Sequence, residues 1–271
     1  MEEKIFQYPN ISETAFSINL LGLNLNVQWY GLSYIAGILL AWYFMAKLVK
    51  NKDLWFAGHS IIERSEVDDL ITYMILGIII GGRLGYCLFY APGYYFENPI
   101  RVIYVWEGGM SFHGGFLGVI MSGALFGVRK KINLLSLGDL IAFASPPGLF
   151  FGRIANFINT ELYGRVTDFP FAIIYPSIDY NPRHPSQLYE ALFEGIILFI
   201  ILIIYFNRNR KRYIIGNISG LFLIFYSLFR FLIEFLREPD YQLGLLYIYF
   251  SMGQLLSIPL FIAGLFIFFR K

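Results

Sequence analysis

The sequence predicts an all-α, polytopic membrane protein with seven transmembrane helices. Hydrophobic residues make up 57% of the 271 residues and charged residues only 15%, whereas soluble domains carry about 25% charged residues. The chain contains seven mostly apolar runs of about 18 to 25 residues, each long enough to cross a bilayer core as a helix. Its basic residues also collect in alternate loops, as the loops of membrane proteins do.

The predicted helices follow one another with irregular segments between them. They lie near residues 28–48, 68–90, 112–128, 136–157, 187–206, 217–236 and 244–269. Before the first, INLLGLNLNVQ alternates apolar and polar residues, which favours a short surface strand or hairpin. We therefore expect residues 1–27 to form a surface arm. Prolines and asparagines punctuate residues 158–186, which we expect to form a small extracytoplasmic head. With no repeat or inverted halves apparent, residues 1–271 are expected to form one membrane domain.

The loop charges predict the orientation. Thirteen of the 21 basic residues follow helices one, three, five and seven. They are Lys47, Lys50, Lys52, Arg64, Arg129, Lys130, Lys131, Arg208, Arg210, Lys211, Arg212, Arg270 and Lys271. Because basic loops stay in the cytoplasm, the N-terminus is predicted outside and the C-terminus inside.

Composition also argues against several classes of function. A net charge of +2 is too small to indicate nucleic-acid binding. The single cysteine, Cys87, excludes a disulfide framework and any multi-cysteine metal site, and a buried structural thiol is the favoured interpretation of it. No feature of the sequence requires a metal or an organic cofactor.

Three arginines fall within or near the outer ends of predicted helices: Arg83, Arg153 and Arg230. An arginine at a helix centre costs roughly 2.5 to 3.5 kcal/mol on insertion scales, so each needs compensation. One alternative is that they snorkel outward or pair with carboxylates such as Glu190, Glu194 and Glu234. Glu234 follows Arg230 by four residues, which puts the two on one helix face. The other alternative is that they bind a lipid phosphate, because the guanidinium fork suits phosphate.

His113 lies in WEGGMSFHGG, where an interface loop enters the third predicted helix. Histidine can take a proton near neutral pH, and the flanking glycines would allow a substrate to approach closely. The alternative is a hydrogen-bonded histidine at the membrane interface. His184, which precedes a proline at a helix start, is expected to be architectural.

GRIANFINTELYG, from Gly152 to Gly164, resembles the signature of the prolipoprotein diacylglyceryl transferase family. The resemblance continues through WYGLSY, GGRLGY, WEGGMSFHGG, RHPSQLYE and FRFLIEFLREPD, in that order and over nearly the whole chain. Gln28 departs from it, because many members carry a basic residue before WYG.

The resemblance implies a seven-helix enzyme of the bacterial cytoplasmic membrane, with its active site toward the outer leaflet. It would transfer diacylglyceryl from phosphatidylglycerol to the lipobox cysteine of a preprolipoprotein, forming a thioether and releasing glycerol 1-phosphate. The expected partners are phosphatidylglycerol and the signal peptide and lipobox of preprolipoproteins, and a monomer is expected. A transporter or binder of anionic phospholipid is the rival interpretation.

The expected site residues fall into three groups. The catalytic residues would be His113, Arg153 and Arg230. Phosphatidylglycerol would be bound by Arg153, Arg230, Tyr30, Asn156, Asn159, Gly164 and Arg83. Supporting residues would be Glu234, Glu161, His184 and Gln187. In this scheme His113 is the candidate base for the substrate thiol, although the field of the arginines could lower the thiol pKa and make a base unnecessary.

Overall fold

The computed structural model describes residues 6–20, 23–50, 60–209, 214–239 and 250–270. Within these ranges it leaves out the side chains of Leu20, Leu23, Leu25, Phe112 and His113. The chain is mostly helical. It divides into two compact units, a larger one of residues 1–45 with 138–271 and a smaller one of residues 46–137.

The predicted surface arm contains the hairpin that the alternating pattern indicated. Strands β2 (Thr14–Leu20) and β3 (Leu23–Gln28) pair antiparallel. Ser17 lies opposite Asn26, and its hydroxyl donates to the Asn26 side-chain oxygen at 2.8 Å. The first strand of the described part of the arm is β1 (Phe6–Gln7), which belongs to a second, three-stranded sheet.

The segment after residue 158 forms a small β-containing head. Strand β4 (Ile173–Ile174) pairs parallel with β1 and antiparallel with β5 (Pro182–Arg183). The Tyr8 hydroxyl, just after β1, donates to the Ile158 carbonyl at 2.6 Å. The arm therefore contributes a strand to the head and a hydrogen bond to the residue at which the head begins.

The smaller unit is built on two closely packed helices. It contains α2 (Arg64–Phe89), α3 (Pro92–Glu97), two short 3-10 turns (Pro99–Ile103 and Val105–Glu107) and α4 (Phe112–Lys130). A Cβ added at Gly81 would lie 2.9 Å from the Cα of Gly118, and one at Gly85 would lie 2.8 Å from the Cα of Gly114. The glycines of GIIIGGRLG, residues 77–85, therefore allow α2 and α4 to pack closely.

The remaining helices are α1 (Trp29–Lys50), α5 (Leu134–Ala144), α6 (Pro146–Ile158), α7 (Ser186–Glu190), α8 (Leu198–Arg208), α9 (Asn217–Ile233) and α10 (Met252–Phe269). A π-helical stretch, Ala191–Ile197, joins α7 to α8 without a break. Helices α5 and α6 meet at a bend of 44°. Pro146 and Pro147 start α6 there, because proline has no N–H to continue the hydrogen bonds of α5.

A buried carboxylate caps the N-terminus of α9. Asp139, on α5, accepts hydrogen bonds from the backbone N of Gly216 at 2.6 Å and of Ser219 at 2.7 Å, and from the Ser219 hydroxyl at 2.8 Å. Gly216 precedes α9 and has no side chain of its own to supply a cap. Because the first N–H groups of a helix lack partners within it, Asp139 satisfies donors that would otherwise be buried unpaired.

All seven predicted runs coincide with helices as far as the structure describes them, although residues 244–249 of the last run lie outside the described ranges. Four helices in the described part are long and apolar enough to span a membrane: Trp29–Lys50, Arg64–Phe89, Ser186–Arg208 and Met252–Phe269. The bent pair α5–α6 raises this to five, and α9 is a shorter apolar helix. The chain is thus a helical, polytopic membrane protein, while the count of seven spans stays a prediction.

Candidate active site

Helix α6 carries two of the predicted site residues. Arg153 and Asn156 stand three residues apart and so share one side of the helix; Asn156 is buried. Beyond the end of α6, Thr160 and Leu162 adopt positive φ values of 53° and 55°, a left-handed conformation that is uncommon for residues other than glycine. This turn brings the chain back to α6, and the Glu161 N–H donates to the Asn156 carbonyl at 2.9 Å.

Two carboxylates face α6 from the neighbouring helix. Glu190 ends α7 and Glu194 lies in the π-helical stretch, and both side chains are fully buried. A Cβ at Gly195 would lie 2.6 Å from the Cβ of Phe150 and 2.9 Å from its Cα. Glycine at this position therefore lets the π-helical stretch approach α6. π-Helical turns inside α-helices are frequently found at functional sites.

Six charged side chains meet between α6, the π-helical stretch and the end of α9. We call this group the arginine–glutamate cluster; its members are Arg153, Arg230, Arg237, Glu190, Glu194 and Glu234. Glu190 is its centre. Its Oε2 lies 3.0 Å from Nε of Arg153, its Oε1 contacts Nη1 of Arg230, and the same oxygen lies 3.9 Å from Nη1 of Arg237.

The other two carboxylates each make their shortest contacts with one arginine. Oε2 of Glu194 accepts hydrogen bonds from Nε of Arg153 at 3.3 Å and from Nη2 at 3.1 Å. Oε2 of Glu234 lies 2.9 Å from Nη2 of Arg230, the ion pair that their spacing of four residues indicated. Of the two alternatives for Arg153 and Arg230, pairing with carboxylates is therefore present in the structure.

The positive and negative charges of the cluster are equal in number, and two of its arginines are more exposed to solvent than its carboxylates. Three guanidinium groups and three carboxylates carry no net charge when all six are ionised. Arg153 and Arg230 keep 14% and 13% of their side-chain surface exposed, whereas Glu190 and Glu194 keep none. A buried charge is tolerated only when it is paired, and each guanidinium group is paired here with buried carboxylates. These ion pairs fix the two guanidinium groups side by side. An anion that reached the cluster would meet these guanidinium groups first.

A chain of hydrogen bonds ties the loop after α6 to α7. Nδ2 of Asn156 donates to Oε2 of Glu161 at 3.2 Å. Nε2 of Gln187 donates to the Glu161 carbonyl at 2.6 Å, and the Tyr175 hydroxyl donates to Oε1 of Gln187 at 3.3 Å. Gln187 is fully buried. Three of the predicted residues, Asn156, Glu161 and Gln187, are therefore brought together.

Asn159 follows the last residue of α6, and no contact of its side chain with the described residues indicates a role. Its side-chain oxygen is buried and accepts no hydrogen bond from the residues that the structure describes. Its backbone N–H donates to the Ala155 carbonyl at 2.9 Å, at the end of α6.

Gly164 lies where three segments converge. Its N–H donates to the His184 carbonyl at 2.9 Å, and it forms an isolated bridge with Arg237. A Cβ at Gly164 would lie 2.6 Å from the Cβ of His184 and 2.8 Å from the Leu236 carbonyl oxygen. Glycine is required at this position by close approach and not by a positive φ.

His184 is bound mainly through its backbone. Its N–H donates to the Arg165 carbonyl at 3.0 Å, and its Nδ1 lies 3.3 Å from the Tyr189 hydroxyl. Burial lowers the pKa of His184 from its ordinary value, which favours the neutral ring. These contacts fit the architectural role expected from the sequence.

Tyr30 lies in the first turn of α1 beside Tyr34. The two hydroxyl oxygens are 3.5 Å apart and the ring centroids 5.1 Å apart. Farther along α1, a Cβ added at Gly37 would lie 2.9 Å from the Cα of Gly148, so α1 packs closely against α6.

Arg83 belongs to the smaller unit and is almost fully buried there. It donates to the Val102 carbonyl at 2.9 Å, to the Arg101 carbonyl at 2.6 Å and to the Gly108 carbonyl. Its guanidinium group also stands 5.1 Å from the centre of the Tyr95 ring. Arg83 thus holds the loop that precedes α4. Its predicted contact with phosphate stays a prediction.

His113 is the second residue of α4 in the smaller unit, and its side chain lies outside the described part of the structure. The turn before it is well defined. Ser111 caps the helix by accepting a hydrogen bond from the Gly114 N–H at 3.2 Å, and the Ser111 N–H donates to the Gly82 carbonyl at 2.8 Å. The catalytic role of His113 stays a prediction.

Sequence reasoning underestimated three members of the cluster. It named Glu190 and Glu194 only as alternative partners, and it did not single out Arg237. The available signal was spacing. Glu190 and Glu194 are four residues apart, and Arg230, Glu234 and Arg237 follow at intervals of four and three, which places each set on one helical face. Among the described residues, no group of three or more His, Cys, Asp or Glu side chains is arranged to hold a metal ion.

Comparison with known proteins agrees with the motifs. The prolipoprotein diacylglyceryl transferase family profile matches residues 16–270. The phosphatidylglycerol–prolipoprotein diacylglyceryl transferase of Rickettsia bellii (strain OSU 85-389) is 50% identical over 266 residues, 97% of this chain and 96% of that protein. The enzyme of the same name from Rickettsia felis is 51% identical over 259 residues, 95% of each chain. The one from Rickettsia typhi is 50% identical over 262 residues, 97% of each chain. The chain therefore belongs to the prolipoprotein diacylglyceryl transferase family.

Proposed function

We propose that this protein transfers the diacylglyceryl group of phosphatidylglycerol to a cysteine thiol of a prolipoprotein, the first step of lipoprotein maturation. Its relatives carry this activity in their names. The structural observation that carries the proposal is the pair of guanidinium groups, Arg153 and Arg230, fixed side by side and partly exposed in a buried cluster. Arginine's fork binds phosphate oxygens in a bidentate manner, so the pair suits the phosphate of an anionic lipid.

The reaction forms a carbon–sulfur bond and breaks a carbon–oxygen bond. The substrate thiolate attacks the primary glycerol carbon that carries the phosphate, and glycerol 1-phosphate leaves with the bonding electrons. The product is a thioether, and the thiol proton passes to a base. The nucleophile comes from the substrate, which is consistent with a single buried cysteine, Cys87, in this chain.

Arg153 and Arg230 stabilise the departing phosphate. Negative charge grows on the leaving group in the transition state, and donors already fixed in place stabilise it without reorganisation. The buried carboxylates of Glu190, Glu194 and Glu234 provide that fixation. Loss of one such electrostatic donor costs about 10² to 10³ in rate, so Arg153→Lys, which keeps the charge and loses the fork, should be severely impaired.

His113 is the proposed base for the thiol. A free thiol with a pKa of about 8.5 is only a few per cent ionised at neutral pH, and a general base contributes about 10² to 10⁴ in rate. The alternative remains that the field of Arg153 and Arg230 lowers the thiol pKa directly. The rate and pH profile of the His113→Gln variant separate these two explanations.

The remaining predicted residues have proposed binding or positioning roles. Tyr30, Asn156 and Asn159 would orient the hydroxyls of the headgroup, and Gly164 closes the loop beside them. Glu234, Glu161, His184 and Gln187 act through their neighbours, as the ion pair with Arg230 and the hydrogen bonds to the loop indicate. Arg83 is the weakest candidate for a phosphate ligand, since it donates to at least three backbone carbonyls.

The membrane arrangement belongs to the same proposal. We place the chain in the bacterial cytoplasmic membrane as one domain with seven spans, the N-terminus outside, the C-terminus inside and the active site toward the outer leaflet. The charge distribution of the loops supports this orientation. The protein substrate would be recognised through its signal peptide and lipobox, and the enzyme would act as a monomer.

The direct test is a transfer assay. Purified protein is incubated with phosphatidylglycerol and a lipobox peptide, and the peptide is weighed by mass spectrometry beside Arg153→Lys and a peptide with serine in place of cysteine. A diacylglyceryl mass on the cysteine with release of glycerol 1-phosphate is expected. Absence of any mass change in folded protein that retains lipid would favour the rival function, binding or transport of anionic phospholipid.

A further inference from the structure

Glu194 makes close contacts with the arginines of the cluster through only one of its two oxygens. Its side chain is fully buried, and its Oε2 accepts both hydrogen bonds from Arg153. Its Oε1 is buried, accepts no hydrogen bond within the described structure, and stands 3.9 Å from Nη1 of Arg230. A buried charged oxygen without a hydrogen bond is costly. Oε2 of Glu190 and Oε2 of Glu234 also accept no hydrogen bond within the described structure, but they lie 3.0 and 2.9 Å from a guanidinium nitrogen. Oε1 of Glu194 is therefore the most weakly held of the three oxygens.

Glu190, one turn away, differs in its distances to the arginines. One of its oxygens is 3.0 Å from Nε of Arg153 and the other contacts Nη1 of Arg230. Glu190 therefore bridges the two arginines with both oxygens. Glu194 holds Arg153 with one oxygen, and its other oxygen lies 3.9 Å from Nη1 of Arg230.

Binding of a phosphodiester would disturb the charge balance of the arginine–glutamate cluster. The six members of the cluster sum to zero, and a lipid phosphodiester brings one further negative charge into a buried, poorly screened site. A phosphate and a carboxylate use the same guanidinium donors in the same bidentate manner. The incoming anion therefore competes directly with one of the three carboxylates.

We propose that Glu194 is a displaceable counterion that competes with the lipid phosphate for Arg153 and Arg230. It yields these donors when phosphatidylglycerol binds, and it takes them back when glycerol 1-phosphate must leave. This inference rests on the proposed function and adds a positioning residue to it. The position of Glu194 within the π-helical stretch Ala191–Ile197 is consistent with such a role.

If Glu194 competes with the phosphate, its removal should change phosphate affinity in the direction opposite to that expected for a purely structural residue. Loss of a structural ion pair should weaken binding, because the arginines would lose their positions. Loss of a competitor should tighten binding of the phosphate and slow its release. Turnover would then become limited by product release, which appears as a burst of thioether product before the steady state.

The test measures inhibition by sn-glycerol 1-phosphate and binding of phosphatidylglycerol in nanodiscs, using the full chain. Glu194→Gln should lower both the inhibition constant and the lipid dissociation constant about tenfold or more, the scale of a hydrogen bond to a charged group. Single-turnover rates should stay closer to the wild-type value than the steady-state rate does. Glu234→Gln is the matched control, because it removes the same charge but leaves both carboxylates on Arg153.

Glu194→Asp keeps the charge and withdraws it by one methylene, so binding should tighten by a smaller factor. This variant decides the matter if Glu194→Gln does not fold, as judged by thermal unfolding. Unchanged or weaker binding in the Glu194 variants overturns the inference, as does equal tightening in Glu234→Gln, which would reflect net charge alone. If the wild type binds these ligands but forms no thioether, the proposed function fails while the binding comparison still decides the role of Glu194.

Discussion

Asn156 and Glu161 are joined twice, once through their backbones and once through their side chains. The Glu161 N–H donates to the Asn156 carbonyl at 2.9 Å, and Nδ2 of Asn156 donates to Oε2 of Glu161 at 3.2 Å. The pair fixes the turn that leaves α6, three residues beyond Arg153. The direction of the hydrogen bond between the side chains matters, because only the amide can donate to the carboxylate.

Asn156→Asp should therefore reverse this contact. Two carboxylates would face each other at hydrogen-bond distance, and a buried group that loses its partner costs about 1 to 3 kcal/mol. We expect loss of most transfer activity and a lower unfolding temperature, measured by the peptide assay and by thermal unfolding. Adding Glu161→Gln should recover part of the stability. Equal stability of wild type and Asn156→Asp would show that the contact is not needed.

Gly164→Ala should be damaging because the added Cβ meets backbone atoms. It would lie 2.8 Å from the Leu236 carbonyl oxygen and 2.6 Å from the His184 Cβ. Overpacking of this kind costs about 1 to 3 kcal/mol. The matched control is Gly152→Ala on α6, where an added Cβ meets nothing within 4 Å. Thermal unfolding should separate the two variants, and equal loss in both would argue against close approach as the reason for Gly164.

Gly118→Ala should separate α2 from α4. Its Cβ would collide with the carbonyl of Gly77 and lie 3.2 Å from the Cα of Gly81. Gly115→Ala on the same helix is the control, because its nearest contact would be an ordinary 3.7 Å. We expect Gly118→Ala alone to lower the unfolding temperature in detergent. A Gly118→Ala protein as stable as Gly115→Ala would show that the helices can move apart without cost.

His113→Gln tests the proposed base. If His113 accepts the thiol proton, the variant should lose about 10² to 10⁴ in rate. The wild-type rate should also rise through the range near pH 6.5 where histidine titrates, and this rise should vanish in the variant. Rates are measured from pH 5.5 to 9 with the lipobox peptide. A variant with near-normal turnover and an unchanged pH profile would assign thiol activation to the arginine field.

Asp179 should make the stability of the head pH-dependent. The Arg183 guanidinium lowers the pKa of Asp179 from 3.8 to about 2, with Nη2 of Arg183 2.6 Å from Oδ2 of Asp179. A depressed pKa stabilises the fold above the unfolded value, so the contribution is complete above about pH 4 and is lost as the pH falls toward 2. Asp179→Asn should lower the unfolding temperature by roughly 1 to 3 °C at pH 6, the scale of a partly exposed ion pair. That difference should shrink below pH 4, and a constant difference would contradict the assignment.

The sequence predicted the helices well because their signal is local. Long apolar runs identify the helices, and the alternation in residues 18–28 indicated the hairpin. The bend between α5 and α6 was not predicted, although Pro146 and Pro147 mark it. The π-helical stretch Ala191–Ile197, which packs against Phe150, was also missed, since its composition is that of an ordinary helix.

The sequence predicted many of the site residues but few of the contacts between them. The motifs led to Arg153, Asn156, Gly164 and Arg230, but the sequence could not show that Glu190 lies between two arginines from different helices. Such contacts join positions 37 to 40 apart in the chain, and only the packing of α6, α7 and α9 brings them together. Asp139 went unnoticed for the same reason, because the N–H groups that it caps begin 77 residues away.

The arginine–glutamate cluster also constrains how this sequence can drift. Each of its charges is matched by a partner on another element or another turn, and removal of one partner from a buried pair costs about 3 to 5 kcal/mol. A single substitution therefore leaves a lineage with an unmatched charge and a less stable enzyme. We therefore expect the six positions to change together during evolution, because a change at one of them is tolerated only with a compensating change at another.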